Sequence, residues 1–205
     1  RISAELLADL DRIADLIVAE QGKPRGQAVF EVRYATEWLD WFAEEGRRAY
    51  GEVVPASVPG KRLVVQRKPL GVVAAITPWN FPLAIPTWKI MPALVTGNTV
   101  VFKPASYTPR MAVRLVEIFE EAGLPPGVLN LVLGSGQELG DALLNHRDVA
   151  LVSFTGSTET GTHISVEAAR QLKRVSLELG GKNAIIVMDD ADVDLAVNGI
   201  LWSAF

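Results

Sequence analysis

Polar residues that could do chemistry follow four short apolar runs in this sequence. The first run covers residues 71–76 and is followed by TPWNFP, residues 77–82. Pro78 and Pro82 fix φ and lack a backbone donor, so the residues between them are expected to form a stiff, non-helical turn. An amide held rigidly there, that of Asn80, can donate a hydrogen bond to a developing oxyanion. Asparagine is also a common turn former, so this segment alone leaves both interpretations open.

The second run ends in Lys103, and Ser106 follows three positions later. The flexible ammonium group of a lysine suits ribose hydroxyls or a phosphate. A small neutral serine leaves room for an adenosine 2′-phosphate, which an acidic side chain at the same place would repel. A surface lysine at the end of a strand gives the same local pattern, so this motif is informative only together with the others.

The third run ends in FTGSTETG, residues 154–161, where Ser157 or Thr158 can cap a following helix. The amino end of such a helix offers free N–H groups and the positive end of its dipole to a phosphate. The sequence is not the GxGxxG fingerprint, and the GSG of residues 134–136 is too short to count as one.

The fourth run ends at Glu178, just before Gly180 and Gly181. A carboxylate that leaves a buried strand beside two glycines can lie in a dry site and act as a general base. A glutamate in an exposed turn is an equally good interpretation of this residue by itself.

These runs belong to a regular alternation of strands and helices. Strands are predicted at 71–77, 99–103, 128–133, 149–154, 174–178 and 184–188, and helices within 83–96 and at 108–122, 137–145, 157–171 and 192–204. The alternation predicts an α/β fold, a doubly wound parallel sheet of the Rossmann-like kind with helices on both faces. Such sheets bind ligands at the carboxyl ends of their strands, where all four motifs lie.

Two amphipathic helices are predicted ahead of the sheet, at 2–20 and at about 27–50. A Pro/Gly-rich connector covers 51–61, and a strand at 63–69 is expected to lead into the central strand. The aromatic side chains of the second helix are expected in the core: Trp38, Trp41 and Phe42.

Composition excludes several classes of function. The chain has 205 residues, of which 49% are hydrophobic and 21% are charged, as in an ordinary globular protein with a substantial core. A net charge of −4 without a long basic run argues against nucleic acid as a partner, and no apolar run is long enough for a membrane span. The absence of cysteine excludes a disulfide framework. We expect a cytoplasmic protein without a metal site.

Taken together and in this order, ITPWNFP, VFKPAS, SFTGSTETG and LELGGK closely resemble the aldehyde dehydrogenase superfamily. The resemblance extends over the whole chain and includes EQGKP at residues 20–24 and PPGVLNLV at 125–132. It implies oxidation of an aldehyde to a carboxylate with reduction of NAD or NADP. In that family a cysteine thiolate attacks the aldehyde, and water activated by a glutamate hydrolyses the resulting thioester.

The resemblance also implies roles for individual residues. Asn80 corresponds to the oxyanion-hole amide, Glu178 to the general base, and Lys89 to a lysine implicated in proton relay, although a helix-surface cation would also fit Lys89. Lys103 and Ser106 are expected at the adenosine ribose. The other expected cofactor contacts are Ile76, Thr77, Pro78, Trp79, Ala105, Gly136, Gly140, Phe154, Thr155, Gly156, Ser157, Leu179 and Gly180.

In the superfamily the nucleophilic cysteine lies downstream of the glutamate, and this sequence contains no cysteine. We therefore expect an internal fragment: an NAD(P)-binding domain truncated at both ends, without the catalytic cysteine domain. Residues 1–60 would form its helical segment and connector, and residues 61–205 its Rossmann-like core. When full length, the protein is expected to be a homo-oligomer, a dimer or a tetramer.

Two segments of the sequence bear on the substrate class. The helix around residues 38–48 resembles the semialdehyde branch, but Trp88 stands where the succinate semialdehyde enzymes carry an arginine for the substrate carboxylate. Residues 85–106 are more similar to 2-oxoglutarate semialdehyde dehydrogenases. A small semialdehyde or aliphatic aldehyde is expected, and Ser106 favours use of both NAD and NADP. Two alternatives are a CoA-acylating semialdehyde dehydrogenase, whose members lack the glutamate base, and a non-catalytic nucleotide-binding module.

We predict that the 205-residue chain by itself does not oxidise aldehydes, because it lacks the thiol that must attack the carbonyl carbon. The measurement is NAD(P)H formation from purified chain with a small aldehyde, with a longer protein that includes the cysteine as the positive control. Sustained NAD(P)H formation by this chain alone would refute the expectation.

Overall fold

The computed structural model describes residues 1–204. Three helices come first: α1 (Ile2–Ala8), α2 (Leu10–Gln21) and α3 (Arg25–Gly46). A small antiparallel hairpin follows, made of β1 (Glu52–Val54) and β2 (Leu63–Val65). The rest alternates strands and helices: β3 (Val72–Ile76), α4 (Ala84–Val95), β4 (Thr99–Lys103), α5 (Pro109–Glu121), β5 (Leu129–Leu131), α6 (Gly136–Asn145), β6 (Val149–Thr155), α7 (Thr158–Arg170), β7 (Arg174–Glu178) and α8 (Val193–Ala204).

Five of the strands form one parallel sheet in the order β5-β4-β3-β6-β7. The chain moves outward from β3 through β4 to β5, then returns to the other side of β3 with β6 and β7. Ile76 pairs with Lys103 on one side and with Phe154 on the other, so these strands end at the same edge. The order of strands therefore reverses between β3 and β6, and a crevice opens beyond their carboxyl ends.

Helices cover the two faces of the sheet and enclose two apolar cores. Val73, Ala75, Val100 and Phe102 point to the side of α4 and α5, where the first three helices add a further layer. Ala74, Val152 and Phe154 point to the other side and pack with side chains of α6 and α7. Successive strand residues alternate between the two faces, and both faces are apolar because each carries helices.

The predicted fold class, an α/β protein with a parallel sheet and N-terminal helices, is confirmed. The predicted helix at 2–20 is interrupted at Asp9, where φ is −100° and ψ is 15°. β2 pairs only with β1 in the separate hairpin and does not lead into the central strand, and β1 was not foreseen. Trp41 was wrongly expected in the core, because its side chain is 59% exposed.

The predicted strand at 184–188 is wrong. Residues 179–188 have no regular secondary structure, and Ile185, Ile186, Val187 and Met188 are exposed. The apolar alternation there is typical of a strand, but a strand needs a partner for its backbone groups. No strand of residues 1–204 pairs with this segment.

Two classes of feature are not found among residues 1–204. Their helices include none that is both long and apolar enough to cross a membrane. The same part of the chain holds no group of three acidic or histidine side chains placed to bind a metal ion.

Candidate functional site

The crevice at the switch in strand order holds a cavity of about 660 Å³. Its walls come from the carboxyl ends of β3, β4 and β6 and from the amino ends of α6 and α7. Many of the residues predicted to contact a cofactor lie in this wall: Ile76, Thr77, Pro78, Trp79, Lys103, Gly136, Gly140, Phe154, Thr155, Gly156 and Ser157.

The remaining predicted contacts do not line this cavity. Ser106 instead donates a hydrogen bond from Oγ to the carbonyl oxygen of Gly134, at 3.2 Å. Ala105 lies beside it in the loop after β4. Leu179 and Gly180 follow β7, and the Leu179 side chain fills the space beside Gly161 on α7.

Two helix amino ends face the cavity, and both are capped by serines. Ser135 accepts a hydrogen bond from the Glu138 backbone N–H at 3.2 Å, and the Glu138 carboxylate accepts one from the Ser135 N–H at 3.1 Å. This backbone hydrogen bond lowers the pKa of Glu138. Ser157 accepts from the Thr160 N–H at 3.2 Å. The amino ends of α6 and α7 thus bring their dipoles to the same cavity, which suits a phosphate-bearing ligand.

The glycines of this wall leave room for a ligand. A Cβ added to Gly136 or Gly140 would meet no protein atom within 4 Å, so these positions open the cavity. Gly156 has a different reason to be glycine, because its Cβ would lie 2.4 Å from Cζ of Phe154. Thr77 contributes a buried hydroxyl that has no hydrogen-bond partner among the described residues. A dinucleotide, with phosphates and hydroxyl groups, therefore fits the donor set of this cavity.

Lys103 carries its charge into this cavity from a largely buried position. Its side chain is 5% exposed, and Nζ donates to the carbonyl oxygen of Pro104 at 3.1 Å. Burial lowers the pKa of this ammonium group. It forms no ion pair with a carboxylate of residues 1–204, so its charge is available to a ligand with hydroxyl or phosphate groups.

The predicted proton-relay lysine lies on the opposite face of the sheet. Lys89 in α4 is 5% exposed and donates from Nζ to Oγ of Ser153 at 3.2 Å. Burial lowers its pKa, and the negative charge of Glu178 partly offsets that effect. The alternative of a helix-surface cation is therefore wrong for Lys89. Its ammonium group faces the C-terminal halves of β6 and β7, and Glu178 is the last residue of β7.

The sequence left two interpretations of Glu178 open, a dry site and an exposed turn, and within residues 1–204 its side chain does not lie in a dry site. The residue is exposed, and its carboxylate accepts a hydrogen bond at Oε2 from Oγ1 of Thr155 at 3.4 Å. The physical reason is the position of β7 at the edge of the sheet, where nothing within residues 1–204 covers the outward end of the strand.

Asn80 lies in the exposed turn after β3, and only its backbone carbonyl group is hydrogen-bonded to side chains of the described residues. Its carbonyl oxygen accepts hydrogen bonds from Nζ of Lys23 at 2.7 Å and from Nε2 of Gln21 at 3.2 Å. Its side-chain amide makes no hydrogen bond within residues 1–204, so both N–H groups are available to a ligand. Asn80, Lys89 and Glu178 do not line the 660 Å³ cavity, but they follow or face the same edge of the sheet.

Sequence reasoning missed several cavity residues, mostly on the helices. Ser135 could have been recognised, because Ser-x-x-Glu before a helix is a capping box. His163 and Asp141 come from facing helices and meet at 3.0 Å between Nε2 and Oδ1, which no local pattern reveals. The complete set of missed wall residues is Ser135, Gln137, Asp141, Leu144, Thr160, His163 and Ile164.

Fold and cavity together define a doubly wound α/β protein with a ligand crevice at its topological switch point. Comparison with known proteins makes the assignment more specific. The model of the aldehyde dehydrogenase family matches residues 1–205. The chain belongs to the aldehyde dehydrogenase family.

Individual relatives are similar over nearly the whole chain. The glutarate-semialdehyde dehydrogenase of Pseudomonas putida is 50% identical over 200 residues, which are 98% of this chain and 42% of that protein. The NADP(+) succinate-semialdehyde dehydrogenase GabD of Escherichia coli is 50% identical over 195 residues, 95% of this chain and 40% of its own length. The chain thus spans about two fifths of the relatives it matches.

A solved structure agrees with the described fold. The betaine aldehyde dehydrogenase of Staphylococcus aureus, in complex with NAD+, superposes with a TM-score of 0.97 at 39% identity. The match covers 100% of this chain and 41% of that one.

Replacing Lys103 by Met should change the pH dependence of stability. Because burial lowers the folded-state pKa of Lys103, the folded chain loses this proton at a lower pH than the unfolded chain does. Between the two pKa values the unfolded chain binds more protons than the folded chain, so the stability of the wild type rises with pH up to the ordinary lysine pKa of about 10.4. The Lys103→Met variant lacks this gain and should be at least as stable as wild type at neutral pH. Urea unfolding from about pH 7 upward measures both.

The exposed Lys61→Met serves as the matched control and should leave the pH dependence unchanged. A stability difference between wild type and Lys103→Met that does not vary with pH would show that burial does not lower the pKa of Lys103 in the folded chain.

Proposed function

We propose that this chain is the NAD(P)-binding part of an enzyme that oxidises a small aldehyde to its carboxylate. The observation that carries the proposal is the cavity at the strand switch point, where two capped helix amino ends, Lys103 and two open glycines converge. The family and its NAD- and NADP-dependent relatives support the same interpretation. The domain boundaries predicted from the sequence, 1–60 and 61–205, remain part of this proposal.

The cofactor would lie in the cavity, held by this chain's own groups. Lys103 would reach the ribose hydroxyls, and the amino ends of α6 and α7 would face the pyrophosphate. Ile76, Phe154 and Leu144 supply apolar wall. When bound, NAD(P)+ supplies the hydride acceptor. A relative that uses NADP and a solved structure with NAD+ support either cofactor, and the neutral Ser106 is compatible with both.

The residues on the other side of the strand ends would serve the aldehyde. Asn80 would donate its side-chain N–H to the oxygen of the substrate carbonyl as that oxygen gains negative charge. Glu178 would take a proton from the water that hydrolyses the acyl intermediate, and Lys89 would stabilise the charge of Glu178 from the buried side. The nucleophile is a cysteine that this chain does not contain.

A small semialdehyde is the proposed substrate, because relatives at 50% identity are named for glutarate and succinate semialdehydes. Trp88 does not offer a cation for the distal carboxylate. Its ring packs edge-on against Tyr34 and Trp38, at centroid distances of 6.1 and 5.5 Å. The group that binds such a carboxylate would therefore come from elsewhere in the protein.

We also propose that the whole enzyme is a homo-oligomer, a dimer or a tetramer. The hairpin of β1 and β2 supports this, because Val53 and Val64 are exposed on a two-stranded sheet that is marginal by itself. A cytoplasmic location remains a prediction from composition.

Replacing Gly140 by Leu should weaken NAD(P) binding roughly tenfold or more, because the new side chain would enter the cavity. The helix itself should tolerate the change, since leucine is a better helix former than glycine. Titration calorimetry with NAD+ and NADP+ measures the affinity.

Gly26→Leu is the matched control, because Gly26 is also helical and also faces open space, but lies away from the cavity. Equal affinity of wild type and Gly140→Leu would place the cofactor somewhere else.

Replacing Glu178 by Gln in the full-length protein should leave the first burst of NAD(P)H intact. The steady-state rate should fall by about 10²- to 10⁴-fold, because the acyl intermediate loses the base that activates water. Glu120→Gln on the exposed side of α5 is the control. An unchanged steady-state rate would favour the CoA-acylating alternative, and absence of any aldehyde oxidation by the full-length wild type would favour the binding module.

A further inference from the structure

A buried ion pair lies directly behind the turn that carries Asn80. Nζ of Lys23 is 2.6 Å from Oε2 of Glu31, and their side chains are 9% and 0% exposed. The ammonium group also lies 3.9 Å from the centre of the Phe81 ring. Neither residue lines the cofactor cavity, and the reaction outlined above uses neither of them.

The two partners bind the turn at the carbonyl group of Asn80 and at the start of the helix that follows it. Lys23 donates to the carbonyl oxygen of Asn80 at 2.7 Å. Glu31 accepts from the backbone N–H groups of Leu83 at 2.9 Å and of Ala84 at 3.2 Å, where α4 begins. The ion pair therefore joins the start of α4 to the peptide that follows Asn80.

Stability alone is a weak reason to bury such a pair. Desolvating two charges is costly, and apolar side chains of similar volume often stabilise a core as well or better. What this ion pair adds over apolar side chains is a defined geometry of the turn, because each hydrogen bond fixes the position of one backbone atom. Pro78 and Pro82 stiffen the turn from within, but they do not tie it to α3 or α4.

We propose that Lys23 and Glu31 are positioning residues that hold the Asn80 amide in place for the carbonyl oxygen of the substrate. This inference rests on the proposed function, in which Asn80 stabilises the oxyanion. Fixing the Asn80 peptide limits where its short side chain can reach. The amide then donates without first being ordered by the substrate, which is the condition under which such a donor is most effective.

The test variant is the double substitution Lys23→Met and Glu31→Gln. The glutamine introduced by the second change can still accept from the Leu83 and Ala84 N–H groups. The methionine introduced by the first keeps an unbranched chain over Phe81 while losing the bond to the Asn80 carbonyl. No unpaired charge is left buried. In the full-length protein kcat should fall roughly 10- to 1,000-fold, up to the loss typical of an oxyanion donor, while KM changes little.

Comparison with Asn80→Ala separates positioning from a general loss of stability. If the pair acts through Asn80, then Asn80→Ala should cost much less in the double variant than in wild type, because the two changes remove the same stabilisation. Fully additive effects, or an unchanged kcat, would overturn the inference. Lys61→Met is the control, because the exposed Lys61 side chain makes no hydrogen bond or ion pair within residues 1–204.

A second readout uses the chain without its nucleophile and needs no activity. The backbone N–H order parameter of Asn80 should be about 0.85 in wild type and should fall toward about 0.6 in the double variant. An unchanged order parameter would overturn the inference whatever the reaction is. If the double variant does not fold, Gln21→Ala removes only the exposed bond to the same carbonyl, and it should lower the order parameter and kcat to a smaller extent. No change in either would count against positioning.

Full-length wild type that oxidises no aldehyde would refute the proposed function and with it the role of Asn80 toward a substrate, and the order parameter would then test only whether the ion pair orders the Asn80 turn. Active wild type with an unaffected double variant would refute only the inference.

Discussion

Helix amino ends with unpaired N–H groups are the constraint on which this structure depends. Every helix that follows a sheet strand and packs on the sheet begins close to the edge where the candidate site lies, and its first amides need acceptors. On one face the acceptors come from α2 and α3. Glu31 of α3 accepts from the amides of Leu83 and Ala84, and Glu20 of α2 accepts from those of Arg110 and Met111 at 2.7 and 2.9 Å. The N-terminal layer thus holds α4 and α5 in register with the sheet.

The other face satisfies the same requirement locally. Ser135 and Ser157 cap α6 and α7 with their own side chains, and no distant carboxylate from residues 1–204 covers those amino ends. The remaining amides and the helix dipoles therefore stay open to a ligand. This difference between the faces explains why the cavity lies beside α6 and α7. On the α4 side the first amides are already hydrogen-bonded to Glu31, which helps to hold the Asn80 turn.

The sheet itself divides the proposed chemistry between its two faces. Ile76 and Phe154 point toward the cavity with α6 and α7, and Ser153 points toward Lys89 on α4. Alternation along each strand makes this division unavoidable, since neighbouring residues face opposite sides. Only residues beyond the strand ends, such as Asn80 in its turn, can serve both sides.

The sequence by itself determined the alternation of strands and helices, the parallel sheet, the motifs at the strand ends and the family, because all of these depend on local periodicity and short spacings. Tertiary structure alone decided that Lys89 is buried, that Glu178 is exposed at the edge of the sheet and that residues 184–188 form no strand. It also decided that Lys23 and Glu31 meet behind Asn80. Burial and pairing depend on what packs against a residue from distant parts of the chain, which local patterns do not encode.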